Sequence, residues 1–174
     1  MCKVFKIPHL LFWCINSEII FFQHDNVGKL QEWTNKMYKY YIKYDVWEDT
    51  YSPMRALGNR RSGHSCLLLN NELFVAGGIL RITTEIFNLE NNRWRSGPDM
   101  PRNIGYSQLV EAQPSSKYAA FLIGGGISSH NAWSDIYGLT KDLRSFKKIG
   151  DLKNARNSHV AMELSEELVQ KCIN

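Results

Sequence analysis

The stretch NELFVAGGILRITTEIFNLENNRW, residues 71–94, decides the fold of this chain. An apolar run ends in two glycines, a second apolar run carries a phenylalanine, and a tryptophan closes the stretch. Glycine reaches positive φ and lets another backbone approach closely, so a glycine pair after an apolar run marks the sharp end of a strand. A phosphate-binding loop is the alternative, above all for GGGISS at 124–129. No Gly-Lys-Ser/Thr follows and no GxGxxG opens a helix, which favours the structural interpretation.

Four short strands are predicted in and around this stretch. The segments are rich in Val, Ile, Leu and Phe, and none has a long helical period. Asn70 and Asn71 separate the first two, and Asn tolerates the positive φ that a two-residue hairpin needs. The predicted strands lie near 64–69, 72–77, 84–89 and 93–96.

The same pattern returns about fifty residues later. Residues 84–89 match residues 134–139 position by position: hydroxyl, acid, Ile, aromatic, small residue, Leu. LFVAGG at 73–78 likewise matches AFLIGG at 120–125. Four-stranded units that repeat at this period are typical of the blades of a β-propeller.

The starts of the units repeat as well. RSGHSCLLLNNEL at 61–73 matches RNSHVAMELSEEL at 156–168, with each histidine eight residues before a glutamate. Upstream, counting back eight from Glu18 reaches Leu10, so LLFWCI aligns as a first strand followed by a hairpin. The last ten residues could form a short helix or a strand, and their alignment favours a strand.

The N-terminal stretch FKIPHLLFWCINSEIIFF, residues 5–22, could also be a secretory signal peptide. Its cleavage pattern is poor, and three polar residues interrupt the apolar run well short of a membrane span. The repeat alignment therefore favours strands over a signal.

Composition excludes several classes of function. The chain has 174 residues, 44% of them hydrophobic and 22% charged, which is the composition of a globular protein. The net charge is +4 and the cations are scattered, so neither nucleic acid nor a membrane surface is an expected partner. The four cysteines lie far apart in sequence, and the histidines lack zinc-ligand spacing, so no metal site is expected. Free, widely spaced thiols are typical of a reducing compartment, and a cytoplasmic location follows.

A glycine pair after an apolar strand, then an aromatic residue, then a tryptophan seven residues on, resembles the kelch repeat. The likeness is strong over about 51–160 and implies an all-β fold, a partial kelch-type β-propeller of about three four-stranded antiparallel blades plus part of a fourth. The structural positions that carry the resemblance are Gly77, Gly78, Phe87, Trp94, Gly124, Gly125, Tyr137 and Phe146.

The repeats divide the chain into four units. Gln23-His24 and Lys171-Cys172 stand where the first and last units should have a glycine pair, and Phe146 follows Tyr137 by nine residues rather than seven. The predicted units are a degenerate first blade at 9–57, kelch blades at 58–101 and 102–152, and the start of a further blade at 153–174.

The large aromatics and the histidines are expected to be structural. Tyr51, Trp94 and Phe146 close successive units, and we expect them to pack between adjacent blades. His64 and His159 recur at equivalent positions, whereas an active site needs only one such residue.

Function is expected on the loops before each first strand. The resemblance implies that Arg61, Arg102 and Arg156 bind an acidic or polar peptide motif of a partner protein. An arginine fork donates two hydrogen bonds to one carboxylate, which suits this role. The alternative is that these arginines pair with nearby acids, the candidates being Asp45, Glu48, Asp99 and Asp151.

The leading hypothesis is a protein-interaction module, not an enzyme, without cofactor. By resemblance, it would be a substrate adaptor of a ubiquitin ligase or an actin-associated scaffold. A kelch-type copper radical oxidase is the alternative, which would need a Cys–Tyr cofactor, for which Cys66 is present. A decayed, non-functional relative is the third possibility. Because a closed propeller needs four to eight blades, the remaining blades are expected to be missing or supplied by another chain.

Overall fold

β-strands are the regular secondary structure in the part of the chain that the structure describes. The computed structural model describes residues 6–7, 10–15, 18–23, 37–41, 43–47, 58, 61–128 and 130–164. Fourteen strands form three sheets within these ranges, and every pairing is antiparallel. The all-β architecture of a partial β-propeller, predicted from the repeats, is confirmed.

The first sheet is a meander in chain order. Its strands are β1 (Lys6–Ile7), β2 (Leu10–Ile15), β3 (Glu18–Gln23), β4 (Met37–Tyr41) and β5 (Val46–Trp47). The strand and hairpin that the alignment placed at LLFWCI are confirmed, since β2 pairs antiparallel with β3. The short β1 before them was not predicted.

The second sheet contains the stretch that decides the fold. Its strands are β6 (Ser65–Leu69), β7 (Glu72–Ala76), β8 (Thr84–Asn88) and β9 (Arg93–Ser96), again in chain order. All four predicted strands are therefore confirmed to within a residue at each end. Asn70 and Asn71 have φ of 46° and 65°, the left-handed pair that the hairpin between β6 and β7 requires.

The third sheet repeats this meander and adds to it. Its strands are β10 (Gln108–Glu111), β11 (Tyr118–Ile123), β12 (Gly126–Ser128), β13 (Asn131–Thr140) and β14 (Phe146–Arg156). Strand β13 pairs with β11, β14 and the short β12. Phe121, Leu122 and Ile123 face Gly138, Tyr137 and Ile136 in the register of β11 and β13.

One hydrophobic core joins the second and third sheets. Leu73, Phe74 and Phe87 from the second sheet and Leu122 and Leu139 from the third are fully buried. The first strands of the second and third sheets, β6 and β10, are neighbours, and β2 of the first sheet lies near β6.

A polar contact joins β6 to the residue that precedes β10. The Ser65 hydroxyl lies 2.6 Å from the Ser107 carbonyl oxygen and 2.9 Å from its hydroxyl. Both serines are buried, so the contact satisfies polar groups inside the interface.

The glycine pairs link each sheet to the segment that leads into the next. Gly77 and Gly78 have φ of 64° and 113°, and Gly124 and Gly125 have nearly the same values, 56° and 101°. A Cβ on Gly125 would lie 2.7 Å from the Gly105 carbonyl oxygen. The pairs are thus glycine because positive φ and close backbone approach are both required.

Some predictions fall outside the described residues. They are the role of Tyr51, the conformation of residues 165–174, and the residues Glu48, Cys2 and Cys172. Within the described ranges, the structure contains no helix with the length and apolar character needed to cross a bilayer.

Candidate functional site

Three segments lie side by side at one end of the second and third sheets. The Gly78 amide donates to the Ile104 carbonyl at 3.0 Å, and the Met100 amide donates to the Ile82 carbonyl at 2.7 Å. Gly105 and Gly126 exchange two amide-to-carbonyl hydrogen bonds, both 2.8 Å long. We call this surface the loop face, and it comprises residues 77–83, 98–106, 124–128 and 130–133.

The beginning of the next repeat joins this surface. The Gly125 amide donates to the Arg156 carbonyl at 2.7 Å, as the Gly78 amide donates to Ile104 one repeat earlier. The Ser158 amide donates to the Tyr106 carbonyl at 2.8 Å. The backbone of the loop face is therefore fixed by hydrogen bonds between consecutive repeats.

Arg61, the first arginine expected to bind a partner, is completely buried. Its Nε and Nη2 donate to Glu85 Oε2 at 3.0 and 2.7 Å. Its Nη1 donates to the Gly77 and Thr83 carbonyls at 2.8 and 2.7 Å. The side chain holds β8 and the glycine-pair loop together, and it is not accessible to a partner, so we do not place it in an interaction surface.

Arg102 lies on the loop face with its side chain 47% exposed. Its Nη1 donates to Asp135 Oδ2 at 2.9 Å. Its guanidinium carbon lies 3.9 Å from the centroid of the Trp133 ring, a stacked cation–π contact. Two contacts therefore hold this arginine in one orientation while half of it faces solvent.

Arg61 and Arg102 play equivalent parts in successive repeats. Each pairs with the acid at the same position of the third strand in its own unit, Glu85 or Asp135, fifty residues apart. The residue two positions before that acid differs, being Thr83 in one repeat and Trp133 in the next. Thr83 accepts hydrogen bonds from a buried guanidinium, whereas the Trp133 indole supports an exposed one.

Asp135 is also bound from its other side. Lys148 Nζ lies 2.7 Å from Asp135 Oδ1 and 3.0 Å from Asp151 Oδ1. The hydrogen bond from Lys148, and then that from Arg102, hold the pKa of Asp135 below its ordinary value, although burial acts in the opposite direction. The Asp135 carboxylate is therefore ionised at neutral pH and anchors Arg102 as a fixed anion.

Arg156, the third predicted arginine, is exposed and pairs across the sheet from Trp133. Directly opposite residues of an antiparallel pair project to the same face of the sheet. The structure thus brings Arg102 and Arg156 together around Trp133, and it separates Arg61 from them by burial. The acids that the alternative hypothesis named, among them Asp99 and Asp151, are not the partners of Arg61 or Arg102 in their ion pairs.

The predicted structural aromatics occupy different places. Phe87 and Trp94 are cross-strand partners in β8 and β9, with ring centroids 4.9 Å apart, and Trp94 is half-buried against the core. Phe146 meets Phe74 of the neighbouring sheet edge-to-face at 6.3 Å. Tyr137 is buried, which raises the pKa of its hydroxyl above the ordinary value.

The remaining chemistry-bearing residues are packed inside. His64 is buried, and the ring of His159 lies against Gly124, with Cε1 3.0 Å from where a Cβ would stand. Cys66 is a free, buried cysteine, and burial raises the pKa of its thiol well above the ordinary value. In the described part of the chain, no three His, Cys, Asp or Glu side chains form a group that could hold a metal ion.

Trp133 is the residue that the sequence analysis did not identify. Its signal was present, because it aligns with Thr83 and places the largest side chain where the preceding repeat has a small hydroxyl. Trp133 can be recognised as the stacking partner of Arg102 only after Asp135, two residues further on, is known to pair with Arg102.

Comparison with known proteins supports this architecture. The Kelch motif matches residues 60–101, which contain Arg61, the glycine pair and the four strands of the second sheet. No curated protein matches the chain.

Proposed function

We propose that this kelch-repeat chain is a protein-interaction module that binds short acidic segments of a partner protein on its loop face. The Kelch motif at 60–101 and the all-β sheets support an interaction module in general. Loops presented by a rigid sheet scaffold are where such modules carry their contacts.

The observation that carries this proposal is the geometry of Arg102. A guanidinium has five N–H donors, and the bond from Nη1 to Asp135 uses one of them. Stacking on Trp133 and the bond to Asp135 hold the side chain in place before a partner arrives. A pre-organised arginine loses less rotamer entropy when it grips a carboxylate.

The charge of the loop face favours an acidic partner. Arg81 and Arg102 lie on this surface and Arg156 adjoins it, while Asp99 is the exposed acid among its described residues. The carboxylate of Asp135 is already engaged by Arg102 and Lys148. This surface would repel positively charged partners and attract acidic ones, and the attraction would weaken as salt is raised.

Within this class, we propose two kinds of partner: a substrate presented to a ubiquitin ligase, or a component of the actin cytoskeleton. Either kind of partner could present a short acidic segment to the loop face. Once binding is measured with defined peptides, labelled fragments of both kinds of partner can be compared in the same assay.

The test uses two labelled peptides of equal length, one rich in glutamate and one in which lysine replaces each glutamate. Fluorescence anisotropy with the full chain should show binding of the acidic peptide alone, weakening as salt is raised. Arg102→Ala and Trp133→Ala should each weaken it about tenfold. Arg93→Ala is the matched control, because Arg93 is an exposed arginine on β9, away from the loop face. Equal binding of the two peptides, or equal losses in Arg102→Ala and Arg93→Ala, would refute the proposal.

We also propose that a further strand, from this chain or another, pairs beyond residue 159. Val160, Met162 and Leu164 are exposed, although they align with Ser65, Leu67 and Leu69, which are buried in β6. Such alternation is the pattern of a strand with one face meant for a core. Analytical ultracentrifugation tests whether another chain supplies this strand. If it does, the unmodified protein should associate and Met162→Lys should lower its association state. A protein that is monomeric with and without the substitution would exclude a strand from another chain.

A further inference from the structure

We propose that Leu80, Ile82 and Ile127 form the apolar part of the peptide site. They would bind large apolar side chains on either side of the acidic residue that Arg102 holds. This inference rests on the function proposed above and makes it more specific. The bound segment would be extended, with a central acid and an apolar residue one or two positions to either side.

The backbone hydrogen bonds place these residues on both sides of Arg102. Leu80 and Ile82 belong to segment 77–83, Arg102 to the middle segment 98–106, and Ile127 to β12, which pairs with the start of β13. The middle segment is hydrogen-bonded to each neighbour. A peptide that crosses the three segments therefore meets an apolar side chain, then the guanidinium, then another apolar side chain.

These three apolar side chains are exposed to solvent. Leu80 is 63% exposed, Ile82 39% and Ile127 38%. Leu80 and Ile127 also recur at the same repeat position, two residues after Gly78 and Gly125 respectively. Leu80 has φ of 55°, a backbone conformation that costs a branched side chain energy and here projects it from the loop.

Charge complementarity selects the occupant. Arg102, whose side chain is 47% exposed, lies between the apolar residues, and Arg156 adjoins them, so a purely apolar surface from another protein would remove charged groups from water at a cost. An extended acidic segment neutralises them and covers the apolar side chains in the same step. Neighbouring backbone segments lie about 4.8 Å apart, and an extended chain advances about 3.3 Å per residue, which sets the spacing of one or two residues.

The experiment uses three labelled heptapeptides with the full chain. The first has a central glutamate with leucine two positions away on each side. The second has serine in place of both leucines, and the third keeps the leucines but has glutamine in place of the glutamate. Anisotropy should show that the first binds about tenfold more tightly than the second, and that the third binds weakest.

The variant Leu80→Ser/Ile127→Ser should lose the preference for the first peptide over the second while it keeps its affinity for the second. Ile149→Ser is the matched control, since Ile149 is an exposed isoleucine on β14 outside the loop face. It should bind both peptides as the unmodified chain does.

The outcomes separate the two proposals. Equal affinity of the unmodified chain for the first and second peptides overturns the apolar part of the peptide site and leaves the acidic site in place. A preference that survives in Leu80→Ser/Ile127→Ser overturns it as well. Equal binding of the first and third peptides refutes the proposed function itself, because the acid would then contribute nothing.

Discussion

Arg61 donates from Nε and Nη2 to one carboxylate oxygen of Glu85, at 3.0 and 2.7 Å, with none of the arginine exposed. The same guanidinium reaches the carbonyls of Gly77 and Thr83 from Nη1. The two ends of the loop 77–83, which contains the glycine pair, are thus both hydrogen-bonded to the Arg61 side chain. A loop arginine that resembles a partner-binding residue in sequence is here part of the core.

Replacing Arg61 with Ala should destabilise the fold strongly. The Glu85 carboxylate would be left buried without its cation, which typically costs about 3–5 kcal/mol. Urea denaturation followed by circular dichroism measures the change in the free energy of unfolding. Arg95→Ala is the control, because Arg95 pairs with Glu72 at 2.6 Å but is half-exposed, and such surface pairs contribute about 1 kcal/mol or less. Equal losses in the two variants would contradict the burial of Arg61.

Substitution of glycine by alanine should have opposite effects at two positions of the third sheet. Gly124 has φ of 56°, and an added Cβ would lie 2.5 Å from the Arg156 carbonyl oxygen, so Gly124→Ala should destabilise by about 2 kcal/mol or more. Gly150 in β14 has no atom within 4 Å of an added Cβ, so Gly150→Ala should be neutral or stabilise by about 0.5 kcal/mol through the unfolded state. Thermal unfolding of both variants decides this, and a loss at Gly150 as large as at Gly124 would refute it.

The contact between Phe74 and Phe146 should couple the second and third sheets. Phe74→Ala removes a fully buried ring and should cost about 3–5 kcal/mol. A double-mutant cycle with Phe146→Ala should give a coupling energy of about 0.5–1.5 kcal/mol, as expected for an edge-to-face pair. A parallel cycle that combines Phe74→Ala with Lys117→Ala, in an exposed loop, should be additive. Additivity in both cycles would show that the rings do not transmit stability between the sheets.

The stability of the third sheet should depend on acid through Asp135. Lys148 and Arg102 lower the pKa of this carboxyl in the folded state, so the unfolded chain binds more protons as pH falls through its ordinary value, about 3.9. The stabilisation is thus present at neutral pH and lost as pH falls below about 4 toward the folded-state pKa. Melting temperatures of the unmodified chain and Asp135→Asn should differ most above pH 5, and the difference should shrink as the pH falls below 4. A difference that stays constant over this range would exclude Asp135 as the source.

The aromatic residues of the two repeats differ in sequence spacing and in strand register. Phe87 and Trp94 are seven residues apart, and this spacing places them opposite each other across the turn between β8 and β9. Tyr137 and Phe146 are nine apart, and the register instead places Phe146 opposite Leu139. Phe146 contacts Phe74 of the neighbouring sheet, in keeping with the expectation that it packs between blades, but its partner could not be identified from local spacing.

The sequence by itself determined the strands, the Asn70–Asn71 hairpin and the glycine pairs, because apolar patterning and positive φ are properties of residues close together in the chain. Only the tertiary structure decided which arginine can meet a partner. Arg61 is buried by an acid 24 positions away, and Arg102 is held at the surface by an acid 33 positions away and by the indole of Trp133. Desolvation and ion pairing depend on the three-dimensional surroundings of a charge. Of two arginines at equivalent repeat positions, one is therefore buried and the other is exposed.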